Sequence, residues 1–232
     1  MPFAEMVIRL MPSDQPAVGR MPAIMDVLDA IRNRRSHRAF LDRPVEREKI
    51  ETILDAAHWA PSPANSQPWE FVVVTGKRAR RRLYELSEEA KRSGRIEVRG
   101  FSYVRPMPAE LETPEDAAKS VRNYPLGFLA KVPVIFGIVG LPLAAIRQAS
   151  FQETRDAYKY SCGAVIQNML LTCEALGLGS LWFTFFDPEL APRYLQVDRG
   201  KHLVAMVLAG YPAAAPKPPG RQPLKTKVRW IE

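Results

Sequence analysis

Four short apolar runs decide what this chain can become. They are WEFVVVTG (69–76), VPVIFGIVG (132–140), SLWFTFF (180–186) and HLVAMVLAGYP (202–212). Each is rich in β-branched and aromatic residues and has the length of a strand. None approaches the run of about 18 apolar residues that crosses a membrane. Strands this apolar need cover, so they predict a central sheet with helices on its faces.

The stretches between the strands supply those helices. Ile24, Val27, Leu28 and Ile31 follow the i, i+3, i+4, i+7 pattern and predict a helix over 22–35 with one buried stripe. Pro44 and Val45 break the chain, and Ile50, Ile53, Leu54 and Ala57 then predict a second helix over 46–59. PSPANSQP (61–68) carries three prolines, two serines and an asparagine, so it reads as an ordered loop. A charged helix follows the first strand, to about Ser93. The longest helical pattern runs over 152–176, with Ala157, Tyr160, Ala164, Gln167, Leu171 and Ala175 in register, and Gly177 and Gly179 end it. Asp187 as N-cap and Pro188 at the first helical position open a short helix.

The order is α-α-β-α, a segment over 94–131, then β-α-β-α-β, in a single domain over 21–232. The 94–131 segment mixes prolines with acids and reads as a lid or insertion. Residues 1–20 lack the basic start and long apolar run of a signal peptide, so they read as a flexible arm and the protein as cytoplasmic. The tail over 213–232 is too proline-rich to pack as an element. It ends in Val228, Trp230 and Ile231, and is expected to wrap over a surface and dock those side chains.

Composition narrows the chemistry. The chain has 232 residues, 47% of them hydrophobic, enough for a core without disulfides. Its two cysteines, Cys162 and Cys173, fall eleven apart in one helical pattern and cannot meet, and no His/Cys cluster has metal spacing. The net charge is +8, much of it in GKRARRRL (76–83) and RNRRSHRAF (32–40). The first run reads as a solvated helix start, because Arg80, Arg81 and Arg82 point in different directions on a helix and no nucleic-acid-binding motif accompanies them. Neither a nucleic acid nor a membrane is an expected partner.

There is no G-x-S-x-G, H-E-x-x-H, P-loop or complete G-x-G-x-x-G, and His37, His58 and His202 are scattered. An enzyme of this kind therefore needs an organic cofactor to carry the reaction. RNRRSHRAF suits an anion: arginine forks grip phosphate and the serine adds a donor. The same residues also suit a plain helix end, where basic side chains meet the negative pole of the dipole.

Two further stretches tip that balance. RRSHRAFLDRPV (34–45) and APSPANSQPWEF (60–71) resemble, in order and spacing, motifs of the flavin-dependent nitroreductase family. ALGLGSLWFTFFD (175–187) resembles that family's helix-to-strand passage, and the GYP and GRQPL of 210–224 resemble its ending. The resemblance covers about residues 22–232. It implies an α+β fold: a three-layer sandwich with a central, mostly antiparallel sheet flanked by helices, in an intertwined homodimer. It implies one FMN per subunit at the dimer interface, and NADH or NADPH as donor in a ping-pong cycle through flavin N5. The acceptor would be a nitroaromatic, a quinone or another flat small molecule.

Residue by residue, the resemblance puts Arg34, Arg35 and Ser36 on the FMN phosphate and ribityl chain. Arg38 falls beside the flavin N1 edge, where a fixed cation stabilises charge that arrives with hydride. Pro61, Ser62, Pro63 and Asn65 match the loop that reaches the flavin from the other subunit. Trp182, Thr184 and Phe185 match the backbone along the ring, and Arg221 completes the phosphate site. Asn123 matches an asparagine on the pyrimidine edge. No side chain is expected to act as catalytic acid or base, and His37 is expected to point away from the flavin. Leu126 stands where several relatives carry a lysine, which weakens a match to the halotyrosine deiodinase branch. The competing readings are a flavin carrier or redox sensor without turnover, or a specialised family branch such as reductive dehalogenation.

Overall fold

The computed structural model describes residues 25–95, 126–142, 156–218 and 220–232. The expected arm (1–20), most of the 94–131 segment and Asn123 lie outside them. The elements run α1 (Val27–Asn33), α2 (Arg47–His58), β1 (Trp69–Val74), α3 (Lys77–Arg92), α4 (Phe128–Lys131), β2 (Val134–Gly140), α5 (Ala157–Ala175), β3 (Gly179–Phe183), α6 (Leu190–Tyr194) and β4 (His202–Gly210).

The four strands form one sheet in the order β1-β2-β4-β3, and every neighbouring pair is antiparallel. Side-chain alternation splits the core in two. Ile135, Leu181, Phe183, Met206 and Leu208 face Leu83 of α3 and Leu129 of α4. Val134, Phe136, Ile138, Ala205, Val207 and Ala209 face Ile53 of α2 and Cys162, Ile166 and Met169 of α5. Helices thus cover both faces, which is the three-layer sandwich expected. β2 is buried at every position because both of its faces are covered.

The helix ends follow backbone chemistry. α5 stops at Gly177 with φ +70°. The Gly177 amide donates to the Glu174 carbonyl and the Leu178 amide to the Cys173 carbonyl, the paired bonds of a Schellman turn. α3 ends likewise at Gly94, where the amides of Gly94 and Arg95 donate to Lys91 and Ala90.

Several expectations need correction. α1 is shorter than expected and buries only Ala30, while Val27, Leu28 and Ile31 stand 59%, 52% and 50% exposed. Its apolar stripe is real, but the described residues leave it exposed. On α5 the buried residues are Tyr158, Ser161, Cys162, Val165, Ile166, Met169, Leu170 and Cys173. The stripe read from the sequence faces the other way: Tyr160 is 75% exposed, and Gln167 and Ala175 are exposed. A helix apolar around most of its circumference has no single periodic face to read.

The loop 61–68 contains one short 3-10 turn, Pro63–Asn65, made possible by left-handed φ at Ala64 and Asn65. β3 ends at Phe183 rather than at 186. Asp187 does cap, its Oδ1 accepting the amides of Glu189 and Leu190 at 2.9 and 2.8 Å, but α6 starts only at Leu190. In this chain Val228, Trp230 and Ile231 remain 42%, 84% and 90% exposed. Among the described residues no helix is long and apolar enough to cross a membrane.

Candidate functional site

α1 ends at the stretch that follows it, and β3 fixes where that stretch goes. The Asp26 carboxylate accepts the Leu28 amide at 2.8 Å and starts the helix. After Asn33 the chain turns extended and runs alongside β3. Ser36 bridges Ser180 in parallel, and the His37 amide donates to the Ser180 carbonyl at 2.9 Å. Farther on, the Leu41 amide donates to Tyr211 and the Ala213 amide to Ala39, so the end of β4 holds the other side. Residues 34–40 are therefore pinned between two strand ends, a rigid support for charged side chains.

On that support the arginines converge. Burial pushes the Arg34 pKa down, and Arg221 and Arg35 push it down further, against an opposing pull from Glu174. Arg35 and Arg221 thus both act on the partly buried Arg34, with the Glu174 carboxylate acting against them. Such crowding is unfavourable until an anion enters, and arginine forks match phosphate oxygens. Arg35 also serves the helix end, donating to the carbonyls of Arg32 at 2.5 Å and Arg34 at 2.8 Å. The helix-end use of the basic run is thus carried by Arg35. Arg38 is exposed.

His37 turns inward, as expected. It is 9% exposed and packs on Gly179, where an added Cβ would lie 2.7 Å from the ring. Burial pushes its pKa down, and its Nδ1 is buried without a partner. It wedges residues 34–38 against β3 and brings no charge to the site.

β3 continues beyond the point where it holds Ser36 and His37. Trp182 is 43% exposed at its end, Thr184 is exposed, and Phe185 is buried. Directly after them, Asp187 is fully buried and its Oδ2 takes the Arg95 Nε at 2.7 Å. Backbone hydrogen bonds and Arg95 outweigh burial and hold the Asp187 pKa down, so it stays charged. This anchor had only a capping signal in the sequence, and nothing there pointed to Arg95.

The 61–65 loop stands apart from the arginines. The Ser62 hydroxyl accepts the Gln67 amide at 2.9 Å and shapes the turn, and the Ser66 hydroxyl is buried without a partner. Pro61, Pro63 and Asn65 are exposed. The loop's exit, Pro68, packs near Cys162 in the first half of α5, while Arg34 senses Glu174 at its end. From residue 162 to residue 174 the axis rises roughly 18 Å. One chain therefore presents the loop and the arginine cradle near opposite ends of the same helix. Among the described residues no cluster of His, Cys, Asp and Glu could hold a metal.

Comparison with known proteins places this arrangement. The nitroreductase family profile matches residues 31–211, most of the chain, including Arg34 and Arg35, the 61–65 loop and all four strands; Arg221 lies beyond it. The chain belongs to the nitroreductase family. A Thermus thermophilus protein named NADH dehydrogenase is 34% identical over 221 residues, spanning 90% of this chain and all of that protein. A nitrobenzene nitroreductase of Ectopseudomonas oleovorans is 47% identical over 73 residues, about a third of each protein. Among solved structures, a BluB-like flavoprotein of Clostridium difficile covers 90% of this chain with a TM-score of 0.69 at 24% identity, a likeness of fold. This nitroreductase-family chain is thus an oxidoreductase by kinship, with Arg34 and Arg35 inside the matched region.

Proposed function

We propose that the protein is an FMN-dependent oxidoreductase passing electrons from NADH or NADPH to a flat electrophile such as a nitroaromatic or a quinone. The observation that carries this reading is that Arg35 and Arg221 both act on Arg34, opposed by Glu174, on a stretch that β3 holds in place. Crowded cations on a rigid frame fit the phosphate of FMN. Ser36 would add a hydroxyl donor, and the exposed Trp182 at the end of β3 would offer its backbone and face to the ring. Bound FMN supplies a two-electron carrier that takes hydride at N5 and releases it to the acceptor.

The chain's own residues position and tune. Arg38 would face the N1 edge, where a fixed cation favours the reduced state. The backbone from Trp182 to Phe185 would face N5, held by the Arg95–Asp187 pair behind it. Asn123 would meet the pyrimidine edge. Pro61, Ser62, Pro63 and Asn65 would come from a second copy, since their own copy's loop lies at the far end of α5 from Arg34. Solvent supplies the protons, so no side chain is required as acid or base.

Two relatives support this direction by their names, an NADH dehydrogenase and a nitrobenzene nitroreductase. The test is anaerobic flavin spectroscopy. Purified protein should be yellow, should bleach with NADH or NADPH, and should regain its colour with a nitroaromatic. Flavin that stays oxidised under both donors would reject turnover and leave a carrier.

A further inference from the structure

One basic run has no part in the cradle. α3 opens on KRARRR, with Lys77, Arg78 and Arg80 in its first turn, no acidic residue there, and a Gly76 N-cap that offers no side-chain acceptor. Cations at a helix N-terminus oppose the dipole, and the first amides of the helix lack partners. A first turn of this kind is set against its own stability.

The structure shows where the charge goes. Arg81 and Arg82 both pair with Glu85, each at 3.4 Å, so the run is not a continuous basic face for nucleic acid. Arg80 turns inward and is 6% exposed. It donates through one terminal nitrogen to the carbonyls of Thr75 and Pro133, while its Nε is buried without a partner. Among the described residues no carboxylate is shown hydrogen-bonded to it. Asp42, whose charge opposes it, lies out on the surface in a loose 3.8 Å pair with Lys77.

Arg80 lines two adjoining cavities of about 640 and 210 Å³, which also share Asp42 and Lys77. The larger adds Arg81 and Lys131 as cations, Glu85 as the second carboxylate, and Phe40 and Tyr84 as aromatic walls. Since Glu85 is taken by two arginines, the cavity keeps a positive excess around a buried guanidinium. Its volume suits one small organic molecule. None of its lining residues belongs to the proposed flavin site.

We propose that this cleft is a second ligand site, taking a small flat molecule that bears a phosphate or a carboxylate. The anion would sit between Lys77, Arg80 and Lys131 at the start of α3, supplying the negative charge that the helix lacks. The flat body would lie against Phe40 and Tyr84.

The test uses protein saturated with FMN, so that the arginine cradle is filled, titrated at low salt by calorimetry. Probes are AMP and benzoate, with adenosine and benzamide as uncharged counterparts. One equivalent of AMP or benzoate per chain should bind, the uncharged probes should not, and the better anion identifies the head group. The double variant Lys77→Gln/Lys131→Gln changes two exposed side chains only. It should melt like the parent yet bind about tenfold more weakly. Arg80→Gln should lose binding, and the double variant decides the matter if Arg80→Gln does not fold. No saturable binding of either anion, equal binding of the uncharged probes, or unchanged affinity in the double variant would overturn the proposal. The outcome is independent of flavin turnover, because Lys77 and Lys131 report on this cleft alone.

Discussion

Asp187 shows how much one side chain can organise. It is fully buried, caps the turn into α6 through two amides, and holds Arg95 at 2.7 Å. Its replacement by alanine leaves those donors without an acceptor. Asp187→Ala should cost about 2–4 kcal/mol in denaturant unfolding. Arg95→Gln should cost less, because the Asp187 carboxylate keeps the amides of Glu189 and Leu190 when Arg95 is gone. Equal losses in the two variants would mean that the ion pair, rather than the cap, dominates. His37 sets a pH dependence. Burial holds its folded pKa below the ordinary value, so the unfolded chain binds its proton more readily. The folded state keeps its full advantage above about pH 6.5 and loses it as the pH falls below that value. Glu46, held at about 2 by hydrogen bonds from Tyr211 and Arg43, stays charged across that window. Melting from about pH 7.5 down to about 5.5 should therefore destabilise the parent more than His37→Gln. Parallel curves would remove His37 as the cause.

At the scale of elements, close approach is what β2 and α5 demand of each other. A Cβ on Gly140 would sit 2.5 Å from the Tyr158 ring and 2.8 Å from Val204. Both neighbours are packed, and the Tyr158 hydroxyl is itself bonded to His202. Gly140→Ala should cost about 1–3 kcal/mol, read as a lower melting temperature, and a neutral substitution would show that α5 can shift. The same scale shows what the sequence could reveal. All four strands were legible because β-branched runs bounded by glycine and proline have few other uses. Gly177 marked the end of α5 because only a residue at ease with positive φ closes that turn. The buried faces of α1 and α5 were misread, since periodicity marks an apolar stripe without saying which neighbour covers it. Arg34, Arg35 and Arg221 were found through a family likeness, for charge alone left the helix dipole as an equal explanation. The Arg95–Asp187 pair joins residues 92 positions apart, and no local pattern encodes such a contact.

At the scale of the whole molecule, two groups of exposed apolar side chains stand out among the described residues. Val27, Leu28 and Ile31 of α1 and Tyr160 of α5 are exposed, and α1 packs against α5. The tail adds Val228, Trp230 and Ile231, with Trp230 at 84% exposure. Large apolar side chains gathered on two packed helices mark an association surface. The loop and cradle at opposite ends of α5 give that association a use, because a second copy can bring its loop to the first copy's arginines. We therefore expect light scattering to give twice the chain mass, with FMN retained. Trp230→Ala should weaken the dimer by about 2–4 kcal/mol, the size of a buried aromatic anchor. It should lower FMN occupancy in parallel, since each flavin would draw on both chains. A monomer that keeps its full FMN would break the link between dimer and site. A dimer indifferent to Trp230 would instead place the contact on α1 and α5 alone.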